Sequence, residues 1–128
     1  LLSKGAAYAV VKQGEYGATL LGRDAGGNLR IFRCPAYPLK TLVDPTGAGD
    51  TFLGALAGHL STLPPGLPSF EEVKRGIVYG TVAASFTCES FSADALLSMT
   101  KETFRRRLEE YAEMCRLPDI RLSSASAC

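Results

Sequence analysis

Residues 44–52 read Asp-Pro-Thr-Gly-Ala-Gly-Asp-Thr-Phe, and this run restricts the fold more than any other stretch. Pro45 stiffens a turn, and three small residues, Gly47, Ala48 and Gly49, follow it directly before a helix. From Thr51 to Leu63 the apolar residues Phe52, Leu53, Ala55, Leu56, Ala57 and Leu60 lie nearly all the way round, which predicts a buried helix rather than a surface one. Small residues let the backbone approach a ligand closely and leave its N–H groups unobstructed. At a helix N-terminus those unpaired donors and the helix dipole both favour an anion. Asp50 falls in the first turn, where a carboxylate beside an anion pocket can take the proton from an attacking hydroxyl. The same residues also read more plainly, with the aspartate as an N-cap and Gly-Ala-Gly as a tight turn. Packing a buried helix, however, does not require an acid followed by Thr51 at its mouth.

The chain before this junction is strand-like. Leu1 to Gly5 resembles the last turn of a helix stopped by a glycine. Residues 7–11 (Ala-Tyr-Ala-Val-Val) are almost wholly apolar and predict a strand buried on both faces. Lys12 to Gly17 is a turn with two glycines, Ala18 to Leu21 is a second strand, and Gly22 to Asn28 is another turn. Leu29 to Arg33 alternates as a half-exposed strand, and Pro35 and Pro38 mark an irregular connector. After the first helix, the run 64–68 (Pro-Pro-Gly-Leu-Pro) is a firm stop. Ser69 and Glu72 form a capping-box pattern for a helix from about Phe70 to Phe86. A last helix spans about Thr100 to Cys115, with Phe104, Leu108, Tyr111, Ala112 and Cys115 on one face and Lys101, Arg105, Arg106, Glu109 and Glu113 on the other. Arg105, Arg106 and Arg107 read as a solvated helix face. His59 reads as a histidine satisfied within the fold. Strands first and helices after, with apolar strands, give a layered α/β piece, and three strands fall short of a whole sheet of that kind.

Composition narrows the function classes. Of 128 residues, 46% are hydrophobic and 21% charged, with 14 Lys+Arg against 13 Asp+Glu and a net charge of +1. That balance gives no broad electrostatic case for nucleic acid or an anionic membrane, and no apolar run approaches the ~18 residues that span a bilayer. Cys34, Cys88, Cys115 and Cys128 form no Cys-x-x-Cys pair, so neither a zinc site nor a dense disulfide framework is indicated. Reduced thiols in a cytoplasmic protein are the expectation. The opening on Leu1-Leu2 reads as the continuation of a longer chain.

The Asp-Pro-Thr-Gly-Ala-Gly-Asp-Thr-Phe run resembles the second signature of the ribokinase-like, or PfkB, carbohydrate kinases. The resemblance covers roughly Ala6 to Leu117 and matches the family's C-terminal portion. It implies an α/β fold, the C-terminal part of a ribokinase-like three-layer α/β/α architecture, over residues 1–117, with residues 118–128 a disordered tail. It implies an ATP-dependent kinase that moves the γ-phosphoryl group to a hydroxyl of a sugar or nucleoside. Asp50 takes the base role, and the amides of Gly47, Ala48 and Gly49 take the anion-hole role. Lys12, Gly14 and Gly17 match the strand-end loop that lies against the nucleotide, together with Gly49. Magnesium escorts the nucleotide, and Asp44 and Thr46 match positions that hold a monovalent cation, K+, in several members; the alternative is that Asp44 caps its own turn. Ser85 to Ser90 lies where the family's remaining cation and adenine-side contacts would fall, but the match is loose and no residue there takes a role. The family's lid strands, through which a homodimer would form, have no counterpart here, nor do most substrate contacts. Two alternatives keep the fold: a nucleotide-binding regulatory module, and a fragment without activity of its own.

Overall fold

The computed structural model describes residues 2–24, 26–91 and 94–120. After a 3-10 turn at Leu2–Lys4, which Gly5 ends as the sequence predicts, come three strands: β1 (Tyr8–Lys12), β2 (Ala18–Arg23) and β3 (Leu29–Cys34), with a second 3-10 turn, Gly14–Tyr16, between the first two. They form an antiparallel meander in the order β1-β2-β3, with Val10 opposite Leu20 and Leu20 opposite Phe32. Helices follow: α1 (Ala48–Ser61), α2 (Phe70–Cys88), the short α3 (Asp94–Leu97) and α4 (Lys101–Met114). The strands-first order is as the sequence predicts.

Register decides which side of the sheet is covered. Side chains alternate along a strand, so Tyr8, Val10, Ala18, Leu20, Phe32 and Cys34 share one face, and that face packs on α2. Val11 and Ile31 point to the other face and remain 43% and 61% exposed. The expectation that the first strand is buried on both faces is therefore corrected. Helices cover the sheet from one side only, so the described residues build two of the three expected layers.

The core is centred on α2. Leu20, Ile77 and Val82 are fully buried, and each such side chain contributes about 1.5–3 kcal/mol by leaving water. α1 lies against α2 because Gly76 and Gly80 admit it. A Cβ at Gly76 would meet Leu56 Cδ1 at 2.5 Å, and one at Gly80 would meet the Phe52 carbonyl at 2.8 Å. Only Phe52 and Leu56 of α1 are buried, while Leu53 is 48% exposed. This corrects the all-round burial predicted for the helix, because among the described residues α2 is its one extensive neighbour.

Helix ends follow local chemistry. Ser69 Oγ accepts the Glu72 amide at 3.2 Å, as predicted. The Glu72 carboxylate does not complete the box; it turns to His59 Nε2 at 3.1 Å and to Arg75. His59 is thereby satisfied, with Tyr79 edge-on at 5.1 Å between ring centroids. Helix α2 runs on to Cys88, two residues past the expected end. At α4, Thr100 and Thr103 close a reciprocal cap. Tyr111 is buried on the expected apolar face, but Ala112 and Cys115 are exposed. No helix among the described residues is long and apolar enough to cross a membrane, and the three described cysteines are free. Most of the expected tail, residues 121–128, lies outside the described residues.

Candidate active site

The junction before α1 is built on one backbone exception. Gly47 precedes the helix with φ +82°, a left-handed conformation that a side chain opposes. This starts the helix at Ala48, three residues earlier than the apolar pattern suggests. Asp50 is therefore the third helical residue and not the N-cap, and no side chain caps α1. Of the three amides assigned to an anion hole, that of Ala48 donates to the Pro45 carbonyl at 3.1 Å. Those of Gly47 and Gly49 form no hydrogen bond among the described residues.

The end of α2 holds this loop in place. The Val43 and Asp44 amides donate to the Cys88 carbonyl at 2.9 and 3.4 Å. Thr51 Oγ1 and Thr87 Oγ1 share a hydrogen bond of 2.9 Å. Neither contact is legible in the sequence, where the partners lie 36 or more residues apart. Ser85 to Ser90, left without a role by its loose match, thus supplies the anchor of the loop.

Fold topology then brings the second glycine turn to the first. Gly17 has φ +87°, and a Cβ there would stand 2.0 Å from the Cys34 carbonyl, so only glycine lets the turn lie against the end of β3. From this turn, Lys12 Nζ donates to the Gly49 carbonyl at 3.4 Å. A Cβ at Gly49 would lie 2.9 Å from that ammonium. Lys12, Gly14, Gly17, Ala48 and Gly49 consequently line one cleft of about 820 Å³. The same cleft is lined by Tyr37, Pro38, Leu39, Leu42, Ala84, Ser85 and Cys88. Its lining thus combines an ammonium and the unbonded Gly49 amide with mainly apolar side chains, and Gly47 adjoins it in sequence.

Asp50 does not line this cleft. It stands one residue beyond Gly49, exposed, with no hydrogen bond or ion pair among the described residues. Asp44 Oδ1 accepts the Thr46 amide at 2.9 Å, and these Thr46 hydrogen bonds hold its carboxyl below the usual carboxylate value. Asp44 thus closes its own turn. Among the described residues there is no group of three His, Cys, Asp or Glu side chains able to hold a metal ion. Burial pushes the Cys88 thiol up, helped by the charges of Glu89 and Asp44, which keeps it a neutral wall of the cleft.

Tyr37 escaped the sequence analysis, and Ser85 and Cys88 lie in the stretch that the resemblance sets near the adenine but to which it gives no role. An aromatic residue between Pro35 and Pro38 is a weak signal of a stiffened wall.

A model of the pfkB family of carbohydrate kinases matches residues 1–100. The chain belongs to that family. No curated protein matches it by sequence. Among solved structures, the PfkB chain is similar to aminoimidazole riboside kinase from Salmonella enterica, determined with aminoimidazole riboside and an ATP analogue. That similarity has a TM-score of 0.67 at 23% identity, over 84% of this chain and 33% of the other. It is also similar to the ligand-free nucleoside kinase of Burkholderia thailandensis (TM-score 0.61, 20% identity, 84% and 31% covered). Ribokinase from Giardia lamblia matches with TM-score 0.65 and 16% identity, over 82% and 32%. These likenesses establish the ribokinase fold for the described sheet and helices. The PfkB chain spans about a third of the length of the solved structures it matches.

Proposed function

We propose that these residues form the nucleotide and phosphoryl-transfer part of a kinase that moves the γ-phosphoryl group of ATP to a hydroxyl of a sugar or nucleoside. The observation that carries this reading is the meeting of Lys12 with the Gly49 carbonyl in a single cleft that Gly14, Gly17, Ala48 and Gly49 also line. ATP suits this mixed lining. Its phosphates match the ammonium and the amides of Gly49 and the adjoining Gly47, and its base matches the apolar walls. The membership in a carbohydrate kinase family supports the reaction class.

In the proposed step, the acceptor oxygen forms a bond to the γ-phosphorus while the bond from that phosphorus to the β-bridging oxygen breaks, and ADP leaves. Charge on the moving group spreads over its outer oxygens, so fixed donors supply most of what the protein must supply. One well-aimed donor lowers such a barrier by about 3 kcal/mol. The Gly47 and Gly49 amides supply those donors. The Ala48 amide joins them only by giving up Pro45. Asp50, at the rim and outside the nucleotide cleft, accepts the hydroxyl proton as the new bond forms. Its place outside the lining suits a group that serves the acceptor and not the nucleotide. Magnesium travels with the nucleotide phosphates in this reading, and a potassium ion beside residues 44–46 has to compete with the Thr46 amide for Asp44.

The test is Asp50→Asn in the full-length protein. Turnover of ATP with ribose or a nucleoside as acceptor is expected to fall by about 10²–10⁴, while affinity for ATP changes less than about twofold. An unchanged kcat removes Asp50 from the mechanism.

A further inference from the structure

Arg107 departs from the solvated face that its three-arginine run suggests. Arg105 and Arg106 are exposed, but the Arg107 side chain is only 17% exposed and points from α4 into the end of α2. Its guanidinium lies over the Phe86 ring at 3.7 Å from the centroid. Nη1 donates to Ser85 Oγ at 2.9 Å and Nη2 to Glu89 Oε2 at 2.6 Å. The same group stands 5.0 Å from the Tyr37 ring centroid. Tyr37 is gripped from the same helix a second time, since its hydroxyl donates to Glu110 Oε2 at 3.0 Å. Ser85 and Tyr37 both line the cleft.

We propose that Arg107 is a positioning residue that shapes the wall of the nucleotide cleft against which the base rests, by tying the lining residues Ser85 and Tyr37 to one rigid fork. The inference rests on reading the cleft as the ATP site. A guanidinium suits the task because its donors lie in a fixed plane and stack on aromatic faces, which an ammonium cannot reproduce. Ser85 shows how the tie operates. Its hydroxyl donates to the Val82 carbonyl at 2.6 Å while accepting from Arg107. The hydroxyl hydrogen is committed to the protein, so Ser85 offers a ligand shape and not a donor. Tyr37, on an irregular connector between two prolines, has no helix or strand of its own to fix it. Without the fork, Glu89 loses its partner, and the walls must be ordered by the nucleotide at the cost of affinity.

The effect is confined to the walls that Arg107 holds, which makes it separable from general damage. In the full-length protein, Arg107→Met is expected to weaken binding of the non-hydrolysable analogue AMP-PNP about tenfold, with stoichiometry unchanged. Inorganic tripolyphosphate, which carries phosphates but no base, is expected to bind as before. A purely structural role lowers stoichiometry and melting temperature but leaves the dissociation constant of the folded fraction alone. Should Arg107→Met fail to fold, Arg107→Lys keeps the charge and loses the fork, and is expected to weaken AMP-PNP about threefold. Unchanged AMP-PNP affinity, or equal loss for both ligands, overturns the positioning role. If the unaltered protein binds neither ligand, the ATP reading itself falls.

Discussion

The three long helices of this chain begin in two different ways. Helices α2 and α4 are closed by side chains, Ser69 on the Glu72 amide and Thr100 on the Thr103 amide. Helix α1 begins at a left-handed glycine with no side-chain cap at all. A Ser or Thr cap typically stabilises a helix start by about 1 kcal/mol, so α1 does without a stabilisation that its neighbours have. The difference lies where each start sits. No residue at the start of α2 or α4 lines the cleft, whereas Ala48 and Gly49 do. A capping oxygen at position 47 would accept from the Gly49 or Asp50 amide, and the first of these is a donor that the proposed reaction uses.

The contrast is broken most severely at Gly47. Gly47→Ala puts a side chain at φ +82°, which costs about 1–2 kcal/mol, and is expected to lower AMP-PNP affinity as well as the urea midpoint. Space is not the obstacle, since a Cβ there meets nothing closer than Thr87 Cγ2 at 3.8 Å. The capped starts sharpen the comparison from the other side. Ser69→Ala and Thr100→Ala are each expected to cost about 1 kcal/mol in urea unfolding, with AMP-PNP affinity unchanged. Equal loss of affinity in all three variants would show that α1 has no special relation to the nucleotide.

The smallest effect concerns pH at the turn leading into α1. The Thr46 hydrogen bonds lower the Asp44 carboxyl from its ordinary 3.8. A depressed folded value means that its contribution is present above the ordinary value and is lost as pH falls through the folded one. In urea unfolding followed from neutral pH down into that acid range, Asp44→Asn is expected to flatten this limb slightly and leave the neutral region level. An identical acid limb in both proteins would dissociate the turn from Asp44.

Much of this arrangement is legible in sequence because it is local. Ser69 followed by Glu72 announces the start of α2, Gly14 and Gly17 announce a turn, and the 44–52 run marks the junction by its own composition. Two failures have a common physical root. The start of α1 was missed because a glycine in an unusual backbone conformation leaves no capping side chain to read. The covering of β1 and of α1 was overstated because apolar composition reports what can be buried, not which neighbour is there to bury it. Arg107 escaped for the complementary reason: its partners Ser85 and Glu89 lie on another helix, and three adjacent arginines look alike until packing separates them. The Thr51–Thr87 and Val43–Cys88 contacts are of the same kind.

The central claim is that the uncapped backbone at the start of α1 receives phosphate. The most direct measurement is the amide spectrum of the 15N-labelled full-length protein during titration with AMP-PNP and then with tripolyphosphate. The account predicts that the Gly47 and Gly49 resonances move downfield with both ligands, as new hydrogen bonds to phosphate oxygens form, while the Glu72 and Thr103 amides, held by their caps, stay in place. Saturation by either ligand with the Gly47 and Gly49 resonances unmoved would contradict it.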